Sequence, residues 1–84
     1  MYNTELSLII MSPEQVVEQC QVSRVNLPGK KSRFEVLKGH APLISALENG
    51  VVEYVTSGGD YKKLSIKSGF VEILNNKVSV CVEL

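Results

Sequence analysis

Apolar and polar residues alternate with a period of two along most of the chain. The apolar positions of the clearest segments are Leu6, Leu8 and Ile10; Val25 and Leu27; Leu64 and Ile66; Val71 and Ile73; and Val78, Val80 and Val82. Such alternation is typical of antiparallel strands with one face buried and the other in water. The pattern predicts an all-β domain.

Turn signals separate these segments, and from residue 49 onward they recur at intervals of twelve residues or fewer. They fall at residues 12–14, 27–29, 49–50, 57–60, 67–69 and 75–77. This spacing indicates a sandwich or a barrel. Residues 13–20 begin like a helix but carry no continuing apolar stripe, so we expect a turn leading into a short strand. Residues 22–25 break the period of two, which predicts a β-bulge or a strand break.

The length of 84 residues allows one domain, spanning residues 1–84. A core this small rarely encloses a deep catalytic pocket, which favours a binding or structural role. Nine basic residues balance nine acidic ones, whereas nucleic-acid binders usually carry a positive excess. The longest apolar run is residues 8–11, and the N-terminus lacks a signal-peptide pattern. We therefore expect a cytoplasmic protein that meets a membrane only through a partner.

The histidine and cysteine content disfavours a metal site. Cys20 and Cys81 lie far apart in sequence, and His40 is the single histidine. Cysteine and histidine alone therefore cannot supply four zinc ligands. We expect no metal, no cofactor and two reduced thiols.

His40 lies in the stretch KGHAPLISAL, between a glycine and a proline. A catalytic base is disfavoured because the sequence has no nucleophile elbow or comparable setting. Two compatible roles remain. The imidazole could fix a structural corner through hydrogen bonds to the backbone, or it could lie in an interface at an exposed end of the sandwich.

A basic cluster precedes His40. It comprises Lys30, Lys31, Arg33 and Lys38, with Glu35 as the one acid among them. Charge runs are usually solvated loops. The alternative is an electrostatic patch that faces an acidic partner loop or anionic lipid head groups.

Three segments together resemble a known family. They are LSLIIMSPEQVV, LPGKKSRFEVLKGHAPLISALENGVV and IKSGFVEILNNKVSV. In that order and spacing they resemble the epsilon subunit of F-type ATP synthase over essentially the whole chain. The resemblance implies a ten-stranded, two-sheet antiparallel β-sandwich without an active site of its own. It also implies a central-stalk subunit that couples rotation of the c-subunit ring to the gamma subunit in a proton- or sodium-driven enzyme.

The resemblance further implies where the partners bind. We expect gamma and the c-ring as partners, no nucleic acid, only indirect membrane contact and no obligate homo-oligomer. The expected location is peripheral, on the cytoplasmic side of the inner (plasma) membrane. The expected ring-facing end comprises Lys30, Lys31, Arg33, Lys38, Gly39, His40, Ala41 and Pro42; the expected gamma-facing residues are Leu43 and Ser45.

The sequence departs from the family pattern in three ways. Arg33 stands where the family often has a ring-contacting acid, so we expect an acidic residue in this ring's loop, or a lipid contact. Lys38 replaces a frequent proline. The two C-terminal helices of many members are missing, so we expect a coupling subunit without their inhibitory arm. The alternative function is a free-standing β-sandwich adaptor or ligand-binding module, and an enzyme centred on His40 ranks third.

Overall fold

The computed structural model describes residues 5–84, which form eight strands and no helix. Residues 1–4 lie outside the described residues. The predicted domain boundary at residue 1 and the first part of the N-terminal segment discussed above fall on them. The strands are β1 (Leu6–Met11), β2 (Val16–Pro28), β3 (Arg33–Val36), β4 (Leu43–Leu47), β5 (Gly50–Thr56), β6 (Tyr61–Ile66), β7 (Ser68–Leu74) and β8 (Lys77–Glu83). The predicted all-β class is confirmed.

The long strand β2 belongs to two layers. Its first half pairs with β1, and its second half pairs with β5 on one side and β3 on the other. Its register against β5 shifts between Val22 and Arg24, which confirms the predicted bulge. A bulge bends a strand and increases its twist, so β2 can pass from one layer to the other. The first layer has the order β4-β7-β8-β1-β2, and the second has β6-β5-β2-β3.

The core lies between the two layers and is entirely apolar. Of the apolar positions that the alternation marks, all are buried except Leu64, which is half-buried; the structure adds five further core residues. The buried side chains are Leu6, Leu8, Ile10, Val22, Val25, Leu27, Val36, Leu47, Val52, Tyr54, Ile66, Val71, Ile73, Val78, Val80 and Val82. Because strand residues alternate between faces, one buried face per strand is enough to fill this space.

Two details of the expected sandwich differ in the structure. Residues 5–84 contain eight strands, not ten; the segments predicted as separate strands on either side of residues 22–25 form the single strand β2. In addition, β1 and β8 pair in parallel, so the sheet is mixed and not purely antiparallel. These strands come from opposite ends of the described chain, and their relative direction is therefore free of hairpin constraints.

The turns gather at two ends of the sandwich. The first end, which we call the lysine-turn end, holds residues 12–15, 29–32, 48–49 and 67. The second, the histidine-corner end, holds residues 37–42, 57–60 and 75–76. Loops at the ends of a rigid sandwich are suited to carry contacts with other molecules.

Candidate partner-binding site

The predicted ring-facing residues do not share one end of the molecule. The Lys30 N–H donates to the carbonyl oxygen of Ala46 at 3.3 Å, beside the last residues of β4. The Gly39 N–H instead donates to Asn76 Oδ1 at 2.7 Å, beside the turn that joins β7 to β8. The five-residue strand β4 separates the two loops, a span of about 14 Å. Lys30, Lys31 and Arg33 therefore belong to the lysine-turn end, whereas residues 38–42 belong to the histidine-corner end.

His40 fixes a structural corner through hydrogen bonds to the backbone, which is one of the two roles predicted for it. The His40 N–H donates to Leu37 O at 3.1 Å, and Nδ1 lies 2.7 Å from Ala41 O. Because a carbonyl oxygen only accepts, Nδ1 carries the proton in this bond. Gly39 has a φ of 85°, in the left-handed region that glycine adopts without steric strain. The exposed residues Ala41 and Pro42 complete a corner that the backbone holds in place.

The lysine turn is docked tightly against the molecule. Gly29 forms a bridge with Leu47, and the carbonyl of Pro28 accepts the Glu48 N–H at 2.9 Å. A Cβ at Gly29 would lie 2.6 Å from the carbonyl oxygen of Ser32, so only glycine fits there without movement. The turn is therefore fixed at its base.

Arg33 is already engaged within the protein. Its Nη1 donates to Val51 O at 2.8 Å, and its Nη2 bonds the carboxylate of Glu53. The Tyr61 hydroxyl donates to the other oxygen of the same carboxylate. The guanidinium thus joins β3 to β5 across β2. Arg33, which stands where the family often has an acid, therefore binds Glu53 and Val51 of its own chain.

A row of apolar side chains crosses the outer face of the first layer near the lysine-turn end. Opposite residues of paired strands share one face of a sheet. The pairings Ala46 with Phe70, Phe70 with Cys81, Cys81 with Met11 and Met11 with Val16 follow one another across five strands. We call these five residues the apolar row. A groove of about 520 Å³ lies over Met11, Ala46, Phe70 and Cys81, with Lys30 at its edge.

Leu43 and Ser45, predicted to face gamma, lie on the core side of β4. They pair with the buried residues Ile73 and Val71, and both are half-buried. Ile44, on the outer side of β4, is 73% exposed. The gamma contact of Leu43 and Ser45 stays a prediction, but the outward residues of β4 are better placed for docking.

Sequence reasoning missed the apolar row because its members come from five strands. The alternation shows that Phe70 and Cys81 lie opposite the buried faces of their strands. It does not reveal which residues become neighbours, since that depends on strand order and register. The one available signal was an aromatic residue at a polar-face position of β7.

The outer face of the second layer has a different character. Beside the Arg33–Glu53–Tyr61 contacts, Asn26 Nδ2 donates to Glu35 Oε2 at 3.4 Å. Lys63 Nζ lies 5.6 Å from the centre of the Tyr61 ring. Several of these polar groups bond one another, so the outer face of the second layer is more polar than the apolar row, although Val51 and Val55 also lie on it.

Glu18 accepts several donors at the side of the core. Tyr54 Oη donates to its Oε1 at 3.2 Å, and Lys62 Nζ lies 3.3 Å from the same oxygen. Burial, reinforced by the Glu18 charge, raises the pKa of Tyr54 to about 12; burial also raises the pKa of Cys20. The cluster ties the first half of β2 to β5 and β6.

Neither a metal-ligand cluster nor a membrane-crossing helix is found in the described part of the chain. Residues 5–84 hold no group of three or more His, Cys, Asp or Glu side chains arranged to bind a metal ion. They also hold no helix long and apolar enough to cross a membrane.

The curated proteins most similar in sequence that we compared are ATP synthase epsilon chains. The ATP synthase epsilon chain of Leptospira borgpetersenii is 32% identical over 83 residues, covering 99% of this chain and 65% of the relative. That of Lawsonia intracellularis is 40% identical over 78 residues, covering 93% of this chain and 58% of the relative. The chain therefore spans roughly three fifths of the length of these relatives.

Two solved structures share the fold. A chain in the Euglena gracilis mitochondrial ATP synthase OSCP/F1/c-ring structure superposes with a TM-score of 0.89 at 19% identity, covering 98% of this chain and 52% of that one. A chain in the Tetrahymena thermophila mitochondrial ATP synthase central stalk/c-ring structure gives a TM-score of 0.80 at 11% identity, covering all of this chain and 67% of that one.

The model of one protein family covers nearly the whole chain. It matches residues 5–84, which are also the residues that form the two-layer fold described above. Its description is the β-sandwich domain of the ATP synthase delta/epsilon chain. This chain belongs to that family.

Proposed function

We propose that this protein is a non-catalytic central-stalk subunit of an F-type ATP synthase. In this role it joins the c-subunit ring to the gamma subunit and passes rotation between them. It is peripheral, on the cytoplasmic side of the membrane. Family membership supports the proposal, as do the epsilon-chain names of the relatives and the central stalk/c-ring assembly in which a similar fold occurs.

The apolar row is the observation that carries the proposal. Met11, Ala46, Phe70 and Cys81 line an open groove on the first layer, and Phe70 is 53% exposed. A contiguous apolar surface on a small domain usually marks a contact with another protein. Aromatic residues at the centre of such surfaces commonly dominate binding. The gamma subunit is the partner we assign to this face.

The opposite outer face makes a poorer docking surface. Its Arg33, Glu53 and Tyr61 groups already bond one another, and a partner would have to break those bonds or bury them. Burying polar groups without new partners opposes binding. We therefore infer that one face of the sandwich binds gamma and that the other faces water.

Replacement of Phe70 by serine tests this assignment. We expect Phe70→Ser to weaken binding to the purified gamma subunit at least tenfold, because a central aromatic anchor is lost. Tyr61→Ser is the matched control, since Tyr61 is also 53% exposed but lies on the second layer. Binding is measured by calorimetry with both proteins soluble, and circular dichroism checks the fold. Equal binding by wild type and Phe70→Ser would reject the apolar row as the gamma-binding face.

The same 84 residues should couple the rotor without restraining ATP hydrolysis. The structure has no helix among residues 5–84 that could extend from the sandwich towards a catalytic subunit. We therefore expect the chain, added to its own enzyme depleted of this subunit, to leave the hydrolysis rate of the assembled complex largely unchanged. A strong suppression at constant assembly would contradict this part of the proposal.

A further inference from the structure

The strand β6 is an outer edge of the second layer, and no strand among residues 5–84 lies beyond it. Its pairing with β5 runs from Tyr61 to Ile66 without a bulge or a proline. The other edges are shorter or partly closed: β3 has four residues, and in β4 the carbonyl of Ala46 accepts the Lys30 N–H. Proteins usually shorten, bend or cover their sheet edges. The edge at β6 is regular and open.

Backbone groups at three positions of β6 point away from the sheet. In an antiparallel pair, residues that exchange hydrogen bonds with the partner strand alternate with residues that do not. The Thr56 N–H donates to Asp60 O at 2.8 Å, which makes these two residues a bonded pair beside the turn. By alternation from that pair, the N–H and carbonyl groups of Tyr61, Lys63 and Ser65 lie on the open side. No group within residues 5–84 bonds them there, so they can bond an added strand.

The charge on this edge discriminates between added strands. Lys63 forms no ion pair in the described part of the chain, and the acid opposite it on β5, Glu53, is bonded to Arg33 and Tyr61. A second copy of this chain is therefore a poor occupant. If two β6 edges paired antiparallel over all the open positions, Lys63 would face its own counterpart, and like charges directly opposite destabilise a sheet. A strand with a carboxylate at that position gains an attraction instead.

The two sides of β6 specify the two sides of an added strand. Leu64 points towards the core beside the buried Val52, but it is itself only half-buried. An apolar side chain next to Leu64 would remove more of its surface from water, which favours binding. On the outer side, the exposed Tyr61 and Lys63 favour β-branched and acidic neighbours. The matching strand is therefore amphipathic, with its acids on the outer side.

We propose that the open edge of β6 binds an extended, acidic and amphipathic segment of a partner polypeptide as a further strand. Backbone hydrogen bonds supply the affinity of such an added strand, and alternate side chains supply its specificity. The site goes beyond the proposed rotor function. It lies on the second layer, whereas the apolar row that we assign to gamma lies on the first.

Binding of a synthetic strand tests the charge preference of this edge. The probe is a fluorescent peptide of alternating acidic and apolar residues, EVEVEVE, and its matched control is KVKVKVK. We expect the 84-residue chain to bind the acidic peptide about tenfold more tightly at low salt, measured by fluorescence anisotropy. Lys63→Glu should reverse this preference. Lys77→Glu, a change at an exposed lysine of the first layer, should leave it unchanged. No binding of the acidic peptide, or equal losses in both variants, would overturn the proposal.

Hydrogen exchange at single amides tests whether the peptide pairs with the backbone of β6. The N–H groups of Tyr61, Lys63 and Ser65 should exchange fast in the free chain and about tenfold more slowly with the acidic peptide bound. Ser65→Pro should prevent binding, because proline removes an outward N–H that β5 does not use. Ser65→Ala keeps that N–H and should bind as the wild type does, and circular dichroism checks both folds. Binding without protection of these amides would overturn strand addition.

The remaining outcomes identify other occupants of the edge. Dimerisation of the wild type with protection of the same amides would make a second copy the occupant. Competition between gamma and the acidic peptide would make the edge part of the gamma interface. Either result would overturn the proposal; we expect equal binding of the peptide to the free and the gamma-bound chain. A wild type that binds the peptide but not gamma would reject the proposed function and leave this inference standing.

Discussion

At the scale of single residues, tight turns and hydrogen bonds decide what each functional side chain can do. His40 and Arg33 both carry groups that bind partners in many proteins. In this molecule His40 bonds the backbone of its own corner, and Arg33 bonds Glu53 and Val51. The sequence could predict the corner role of His40 because Gly39 and Pro42 flank it. It could not predict the Arg33 contact, since Glu53 is twenty residues away and becomes a neighbour only through strand pairing.

Gly29 offers a direct test of how tightly the lysine turn is packed. An added Cβ would lie 2.6 Å from the Ser32 carbonyl oxygen and 2.9 Å from the Phe34 ring. We expect Gly29→Ala to lower the free energy of unfolding by about 1–3 kcal/mol through overpacking, as measured by urea denaturation. Gly58→Ala is the control: its Cβ would meet only Thr56 Oγ1, at an ordinary 3.8 Å, and stability should hardly change. Equal stability of both variants would mean that the turn is looser than described.

Ionisation of Tyr54 should destabilise the folded protein at high pH. The pKa of Tyr54 is raised to about 12 by burial and by the Glu18 carboxylate. A group whose pKa is higher in the folded state contributes stability that is complete below its unfolded pKa, near 10. That contribution disappears as the pH rises towards 12. The free energy of unfolding should therefore fall across this interval, and less steeply in Tyr54→Phe; parallel pH curves for the two proteins would contradict this role.

At the scale of strands, the alternation of apolar and polar residues predicts which face of a strand is buried, but it does not predict which strands pair. It correctly identified the buried sides of β1, β7 and β8, and the break in period at residues 22–25 correctly predicted the bulge in β2. It could not show that β1 and β8 are parallel, or that β2 serves both layers. Those facts depend on which strands meet, and a period of two is the same for every pairing. The apolar row escaped prediction for this reason.

The central position of β8 gives a prediction at this scale. Val80 is fully buried and lies opposite Val71 on β7 and Ile10 on β1. Val80→Ala should lower the free energy of unfolding by about 2 kcal/mol, because the lost methyl groups leave a cavity that neighbours on both sides cannot fill. Ser79→Ala, on the outer face of the same strand, should change it by less than about 0.5 kcal/mol. Similar losses in both variants would contradict the burial of this face of β8 in the core.

At the scale of the whole molecule, the two outer faces and the two ends differ in kind. The first layer carries an exposed apolar row, whereas the second carries polar groups that bond one another. The lysine-turn end adjoins the apolar row, since Lys30 lies at the edge of the same groove. A rigid two-layer core between such surfaces can hold two partners in a fixed relation, which transmission of rotation requires. The contacts that we propose for gamma and the ring would be neighbours in this arrangement.

The most direct test of the account is restoration of coupling in membrane vesicles whose ATP synthase lacks this subunit. We predict that the 84-residue chain rebinds and restores ATP-driven ion pumping. We also predict that Phe70→Ser fails to do so at concentrations where the wild type suffices, while Tyr61→Ser succeeds. Pumping is measured by an ion-sensitive dye, alongside the rate of ATP hydrolysis. Rebinding of the wild-type chain without recovery of pumping, or no rebinding at all, would contradict the claim that this protein couples the ring to the stalk.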